Sequence, residues 1–257
     1  AAPSPRPPRF GGIGRRSYRE SMDTLRVGAF LTDPPFAGLV GGGFDVDLAA
    51  AVGAALGLSV ERFATEAPDV DDLLSSLAAG AYDCVVGAVT VTADRQRTVV
   101  FAQPYLVSGH ALAVNAARHP AVRSVDDLGG LTVAVRRGSA GHSLAKRLHA
   151  DGRVGAVRCF AYGDIHSAAS ELEAGACDAM MALAPTLTEL VRSLPDVDVV
   201  QRGLSREEIA IAVAPGDAAL AAQIATAQER LEADGSLQEF RRKWLGNPYR
   251  DQSLAAH

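Results

Sequence analysis

A predicted buried strand leads into a predicted helix start through the stretch Gly87-Ala88-Val89-Thr90-Val91-Thr92-Ala93-Asp94-Arg95. Thr92 is suited to cap a helix that opens near Ala93, and the backbone N–H groups at such a helix start favour an anion. Arg95 follows within this first turn and can hold a carboxylate through two parallel hydrogen bonds, with the hydroxyl of Thr90 beside it. The stretch predicts either an anion-binding turn or an ordinary strand-to-helix turn with a surface arginine. The sequence on either side of the stretch distinguishes the anion-binding turn from the ordinary one.

The composition limits the class of protein. The chain has 257 residues, which suffice for one large domain or two modest ones, and 48% of them are hydrophobic, as in a globular protein. The net charge of -5 provides no basic surface for nucleic acid or for an anionic membrane. No apolar run is long enough to span a membrane, and residues 1–10 lack the apolar core of a signal peptide. We therefore expect no nucleic-acid partner, and a chain that is either cytosolic or a mature or trimmed form.

The cysteines and histidines do not indicate a metal site or a cofactor. Cys84, Cys159 and Cys177 form no CxxC pair, so a structural zinc site is not expected. Cys159 and Cys177 could form one disulfide, but buried free thiols are the favoured interpretation. His142 and His149 lie seven residues apart on a predicted helix, a spacing more typical of a polar surface than of a metal site. We predict no metal and no cofactor.

The order of the predicted elements indicates two similar α/β blocks. Residues 1–23 are rich in proline and glycine and predict an extended spacer. A β-α-β-α-β block follows, with strands at 24–30, 59–63 and 83–88 and helices at 44–56 and 70–79. Next come a predicted loop at 101–105, which includes Pro104, a strand at 109–115, and a second block with strands at 131–136, 157–162, 178–183 and 197–201. A strand at 209–213 and two helical pieces within 217–244 complete the pattern. Two such blocks predict two lobes with a ligand-binding cleft between them.

Seven motifs occur in order along this pattern. They are Asp33-Pro34-Pro35-Phe36, Gly43-Phe44-Asp45-Val46-Asp47-Leu48-Ala49, Tyr82-Asp83, Thr90-Val91-Thr92 with Arg95, Phe101 with Pro104-Tyr105, Asp126-Asp127-Leu128, and Ala233-Asp234-Gly235-Ser236-Leu237 with Lys243-Trp244-Leu245-Gly246. Over residues 24–246 the chain resembles the extracytoplasmic solute-binding proteins that serve ABC importers of polar amino acids.

The resemblance implies an α/β, two-lobed fold of the periplasmic-binding-protein type II, which closes on its ligand by a hinge. Lobe 1 would comprise residues 24–106 and 211–246, lobe 2 residues 107–210, and residues 247–257 would form a C-terminal tail. The implied partners are a small carboxylate-bearing solute and the membrane permease of an ABC importer. The implied protein is a monomer outside the cytoplasm, in the periplasm or tethered to the cell surface as a lipoprotein, and it is not an enzyme. The alternatives are a ligand-sensing domain of a receptor and a dehydratase of cyclic acids on the same fold.

The resemblance also implies a set of site residues. Arg95, Thr90 and Ala88 would hold the ligand carboxylate, together with Ser139 and Ala140 at the start of a helix in the second lobe. Arg136 would contact the ligand side chain.

Four positions depart from the pattern of that family. Leu183 occupies the place of the aspartate that pairs with the α-ammonium group, and Asp33 that of a stacking aromatic residue. Phe30 stands at a position that is often acidic, and Val70 at that of a second stacking aromatic. A buried, unpaired ammonium group would cost several kcal/mol. Either Asp33 replaces the missing aspartate from the opposite lobe, or the ligand is a carboxylate with a more apolar body than a standard α-amino acid; we favour the altered ligand.

Overall fold

The computed structural model describes residues 24–246, except Leu31, Leu39, Gly41, Glu66 and Pro68. The predicted tails at 1–23 and 247–257 lie outside the described residues. The strands are β1 (Thr24–Ala29), β2 (Ser59–Ala64), β3 (Cys84–Val85), β4 (Val100–Ser108), β5 (His110–Asn115), β6 (Thr132–Arg136), β7 (Ala156–Phe160), β8 (Ala179–Leu183), β9 (Val197–Gln201) and β10 (Glu207–Val213).

The helices alternate with the strands along most of the chain. They are α1 (Phe44–Leu56), α2 (Val70–Ala78), α3 (Ala140–Ala150), α4 (Ile165–Ala174), α5 (Ala184–Val191), α6 (Ala218–Ala233) and α7 (Ser236–Phe240), with a π-helical turn at Arg241–Leu245. Among the described residues, no helix combines the length and the apolar character that a transmembrane span requires.

The first lobe is built on a sheet with the strand order β2-β1-β3-β10-β4. β1 runs parallel to β2 and to β3, whereas β10 runs antiparallel to both of its neighbours. Helix α1 places Phe44, Leu48 and Val52 on the core side of this sheet, and Gly57 ends the helix in the left-handed conformation at φ 72°. Helices α2, α6 and α7 belong to the same lobe.

The second lobe repeats this arrangement on a sheet with the order β7-β6-β8-β5-β9. Here β5 is the antiparallel strand, and helices α3, α4 and α5 pack on the sheet. The sheet is buried on both faces, because Met180 lies in the hydrophobic cluster on one face and Met181 in that on the other. The predicted two-lobed α/β fold is thus confirmed.

The chain passes between the lobes twice, and the two crossings lie side by side. β4 ends at Ser108 and β5 begins at His110, while β9 ends at Gln201 and β10 begins at Glu207. A Cβ atom on Gly109 would lie 2.1 Å from the carbonyl oxygen of Ser205, so the crossings approach this closely only with glycine there. The predicted lobe boundaries at 106/107 and 210/211 fall inside β4 and β10, which pair with each other in the first sheet from end to end.

Three local predictions differ from the structure. The predicted helix near Ala93 is a single 3₁₀ turn at Arg95–Arg97, because β-branched residues follow it and β4 begins at Val100. The predicted loop at 101–105 is part of β4, where Pro104 is tolerated because β4 is an edge strand with an irregular register at that point. The third strand covers only Cys84–Val85 instead of 83–88.

Candidate functional site

A cavity of about 40 Å³ lies between the lobes, close to the two crossings. Nine of the ten residues predicted for the site line it, namely Asp33, Val70, Ala88, Thr90, Arg95, Arg136, Ser139, Ala140 and Leu183. Phe30 does not line it: its ring lies behind the wall, stacked at 3.7 Å on the ring of Tyr162. By volume the cavity holds about three water-sized groups, so the lobes are closed around a small space.

Arg95 is buried in the cleft with its guanidinium group directed across it. The residue is 8% exposed; Nη1 donates to the Thr90 carbonyl oxygen at 3.0 Å and Nε donates to Asp71 Oδ1 at 2.9 Å. Nη2 donates to the carbonyl oxygen of Gly138 in the second lobe at 3.0 Å. The arginine is therefore a fixed, buried cation that already bridges the lobes, and not the surface arginine of an ordinary turn.

The turn before Arg95 has an unusual backbone that a buried acid supports. Ala88 has φ 49°, in the left-handed region that residues with a Cβ rarely adopt, and its N–H donates to Asp45 Oδ2 at 2.9 Å. The hydroxyl of Tyr105 donates to Asp45 Oδ1 at 2.8 Å. Burial raises the pKa of Asp45 to about 7, although these two hydrogen bonds lower it in part. Asp45 thus holds the backbone at Ala88, a residue of the cavity wall, from the side that faces away from the cavity.

We expect Asp45→Asn to flatten the pH dependence of stability between about pH 4 and pH 7. As pH rises through this range the unfolded chain ionises at the ordinary pKa of 3.8 while the folded chain keeps its proton to about 7. The unfolded state is thereby favoured, and wild-type stability falls by about 4 kcal/mol from this group. Asparagine cannot titrate, so the variant lacks this fall. Urea unfolding of both proteins at pH 4 and pH 7.5 measures the difference, and parallel changes in the two would contradict the role of Asp45.

The start of α3 faces Arg95 from the second lobe. Ser139 caps the helix: its Oγ accepts from the His142 N–H at 3.1 Å and donates to the Arg136 carbonyl oxygen at 2.7 Å. Ala140, the first residue of the helix, lies in the cavity wall. The N–H groups of the first helical turn have no carbonyl partner within the helix and attract negative charge. Arg95 and the α3 start therefore place positive potential on both sides of the same space.

An ion pair spans the cleft at the other side of the cavity. Arg136 Nη2 of the second lobe donates to Asp33 Oδ1 of the first lobe at 2.9 Å, and the hydroxyl of Tyr162 donates to Asp33 Oδ2 at 2.9 Å. The guanidinium carbon of Arg136 lies 3.9 Å from the centre of the Tyr162 ring. Burial alone would lower the pKa of Arg136, but the charge of Asp33 raises it above its ordinary value. We call these three residues the cross-cleft cluster.

A second acidic group lies behind the cavity wall at the crossings. Glu207, the first residue of β10, is 9% exposed, and its Oε1 lies 3.3 Å from His110 Nδ1. Burial alone would raise the pKa of Glu207, but hydrogen bonds from His110, Ser205 and Thr90 bring it below its ordinary value. Glu207 is therefore an ionised carboxylate directly behind two residues of the cavity wall.

The sequence analysis missed four residues of the wall: His110, Tyr162, Ala182 and Thr186. β6 and β7 pair in parallel, with Arg136 at the end of β6 opposite Phe160 at the end of β7. Tyr162 follows β7, so it lies at the same edge of the sheet as Arg136. The carboxyl ends of neighbouring parallel strands meet at one edge, so this signal was available. His110 is a polar residue at the start of a strand whose next four residues are apolar, which is a weaker signal.

The three cysteines are free thiols, and Cys159 Sγ lies 3.1 Å from His142 Nε2. Among the residues that the structure describes, no group of three or more His, Cys, Asp or Glu side chains is arranged to hold a metal ion.

Comparisons with known proteins agree with this architecture. The sequence profile of the bacterial extracellular solute-binding proteins, family 3, matches residues 25–247. The L-cystine-binding protein TcyJ of Escherichia coli (strain K12) is 28% identical over 242 residues, which is 92% of this chain and 88% of that protein.

Two solved structures resemble the described fold closely. An ancestral arginine-binding protein bound to arginine has a TM-score of 0.79 and 33% identity, covering 87% of this chain and 98% of its own. The ancestral amino acid-binding protein AncCDT-1, a precursor of cyclohexadienyl dehydratase, has a TM-score of 0.77 and 28% identity, covering 88% of this chain and 96% of its own.

Proposed function

Because the chain belongs to the bacterial extracellular solute-binding proteins, family 3, we propose that it binds a small carboxylate-bearing solute, an amino acid or a derivative, for an ABC importer. Its relatives include the L-cystine-binding protein TcyJ of Escherichia coli. The solute is enclosed between the two lobes, which close on it by rotation about the paired crossings. We propose that the protein acts as a monomer outside the cytoplasm and hands the solute to a membrane permease.

The buried guanidinium group of Arg95 is the observation that carries this proposal. It faces the start of α3 across the cleft, and its present contacts to Gly138 and Asp71 show which directions its N–H groups take. A carboxylate placed between Arg95 and the first turn of α3 would receive hydrogen bonds from both lobes. Binding energy that requires both lobes favours the closed arrangement over the open one.

The cavity supports binding more than catalysis. Asp33 is the acidic side chain among the described lining residues, and both of its oxygens accept hydrogen bonds, from Arg136 and from Tyr162. An acid that takes part in a reaction must reach the substrate, whereas both oxygens of Asp33 are already occupied by these two protein partners.

A thermal-shift screen tests the proposal. The panel comprises the standard amino acids, opines, aromatic acids, and neutral compatible solutes without a carboxylate as the matched control. A solute at a hundredfold over its Kd should stabilise the protein by about 2.7 kcal/mol. We expect at least one carboxylate to raise the melting temperature and the neutral solutes to leave it unchanged. Stabilisation by neutral solutes alone, or by no carboxylate at millimolar concentration, would refute the proposal.

A further inference from the structure

Charges of opposite sign lie in and behind the cavity wall. Arg95 supplies a buried cation in the wall, and Glu207 supplies a buried carboxylate behind the wall residues His110 and Thr90. Among the described residues no lysine or arginine pairs with Glu207; its neighbours are His110, Ser205 and Thr90. Buried charges are ordinarily paired, because an unpaired one keeps its full desolvation cost. The part of the wall formed by His110 and Thr90 therefore suits a cationic group of the bound solute.

His110 connects Glu207 to the cavity surface through its ring. Its Nδ1 faces Ser205 Oγ at 2.9 Å and Glu207 Oε1 at 3.3 Å, so Nδ1 carries the hydrogen that these oxygens accept. In the tautomer with the hydrogen on Nδ1, the lone pair is on Nε2. The Cδ2–Nε2 edge lies against α3, where a Cβ atom on Gly141 would be only 2.8 Å from Nε2. Because His110 lines the cavity beside the start of α3, we assign Nε2 as an acceptor for a group bound there.

His110 also lies where the expected aspartate is missing. β5 and β8 pair antiparallel with His110 directly opposite Leu183. Residues directly opposite on neighbouring strands project to the same face with Cβ atoms about 5 Å apart. Thr90, whose side chain is hydrogen-bonded to Glu207, lines the cavity on the first lobe. A group bound beside Leu183 can therefore reach His110 and Thr90.

Asp33 does not fill this role. Its two oxygens are held by Arg136 and Tyr162, and the residue is only 1% exposed. The cross-cleft cluster instead forms part of the cavity wall, and the charges of Asp33 and Arg136 compensate each other.

From this geometry we propose that the amino group of the solute binds His110 Nε2 and Thr90 Oγ1, with Glu207 supplying the compensating charge. The solute is then a small neutral α-amino acid, and not the altered ligand that the sequence alone favours. This inference rests on the proposed function and names the substrate class. Glu207 acts as a positioning residue: it fixes the orientation and the tautomer of His110 and does not itself touch the solute. The small cavity and the internal Asp33–Arg136 pair exclude long or charged side chains.

Calorimetric titration with L-alanine and with (S)-lactate tests the proposal. The two probes differ only in the amino group. We expect the wild-type protein to bind L-alanine at least about tenfold more tightly, as a hydrogen bond to a charged group implies. Glu207→Gln should weaken L-alanine binding about tenfold and change (S)-lactate binding far less. Glu208→Gln is the matched control, because Glu208 is the next residue, is partly exposed and pairs with Arg206; it should bind both probes like the wild type.

His110→Gln provides a second variant in case the loss of Glu207 impairs folding, which circular dichroism would reveal. It should reduce the preference for L-alanine over (S)-lactate in the same way. Equal binding of both probes by the wild type, or an equal loss of both in Glu207→Gln, would overturn the proposal. If neither probe binds while another carboxylate in the screen does, this inference fails and the proposed function stands. If no carboxylate binds, the proposed function itself fails.

Discussion

Arg95→Ala is expected to abolish solute binding at concentrations that saturate the wild-type protein. The arginine is 8% exposed and faces the start of α3, so its loss removes the charged contact of the first lobe to the carboxylate. Truncating one partner of a buried, hydrogen-bonded charge pair costs about 2–5 kcal/mol, which corresponds to a loss of affinity between about 30-fold and several thousandfold. The thermal shift seen with the wild type should therefore disappear.

Arg97→Ala is the matched control for this experiment. Arg97 belongs to the same 3₁₀ turn, but its side chain is exposed and pairs with the exposed Asp94. Arg95→Lys adds a second comparison, because lysine keeps the charge but not the fork of parallel donors. We expect normal binding in Arg97→Ala and weak binding in Arg95→Lys. A thermal shift that persists unchanged in Arg95→Ala would show that the carboxylate is held elsewhere.

Asp33→Asn is expected to open the lobes of the protein in the absence of solute. With Asp33 removed, Arg136 would remain as a buried cation without its counter-charge, at a cost of about 3–5 kcal/mol in the closed arrangement. Rotation of the lobes returns Arg136 to water and relieves this cost. Loss of the ion pair should therefore mainly open the cleft between the lobes, and it should lower the free energy of unfolding by less than this cost.

Small-angle X-ray scattering without solute measures the opening as an increase in the radius of gyration. Asp94→Asn is the control, since it removes an exposed ion pair of the first lobe and should leave the radius unchanged. The double variant Asp33→Asn/Arg136→Met should close again, because it removes the buried charge along with its partner. An unchanged radius in Asp33→Asn would show that other contacts keep the lobes together.

Much of the fold follows from patterns that are local in sequence. The spacing of Leu48 and Val52, and the glycine at Gly57, define α1 because an amphipathic helix and its left-handed end depend on neighbouring residues only. The parallel blocks follow from the alternation of such helices with short apolar strands. The 3₁₀ turn at Arg95–Arg97 was predicted as a longer helix, because helix length depends on what the next strand requires.

The candidate site could be predicted only in part, for a related reason. Arg95 was found from its own turn, but its contact with Gly138 joins residues 43 positions apart, in different lobes. The Asp33–Arg136 pair joins residues 103 positions apart. Such contacts depend on how the lobes meet, which no local pattern specifies. The sequence therefore indicated that Asp33 was out of place, without indicating what pairs with it.

The direct contact between Asp33 and Arg136 has a consequence for how fast the solute is captured. A protein that its own ion pair keeps shut must first open before a solute can enter, so the rate of association falls in proportion to the open fraction. If about one molecule in ten is open, capture slows about tenfold. The same ion pair also holds the closed complex together, so release slows as well, and we expect a cell carrying this protein to respond with a delay to a sudden supply of the solute.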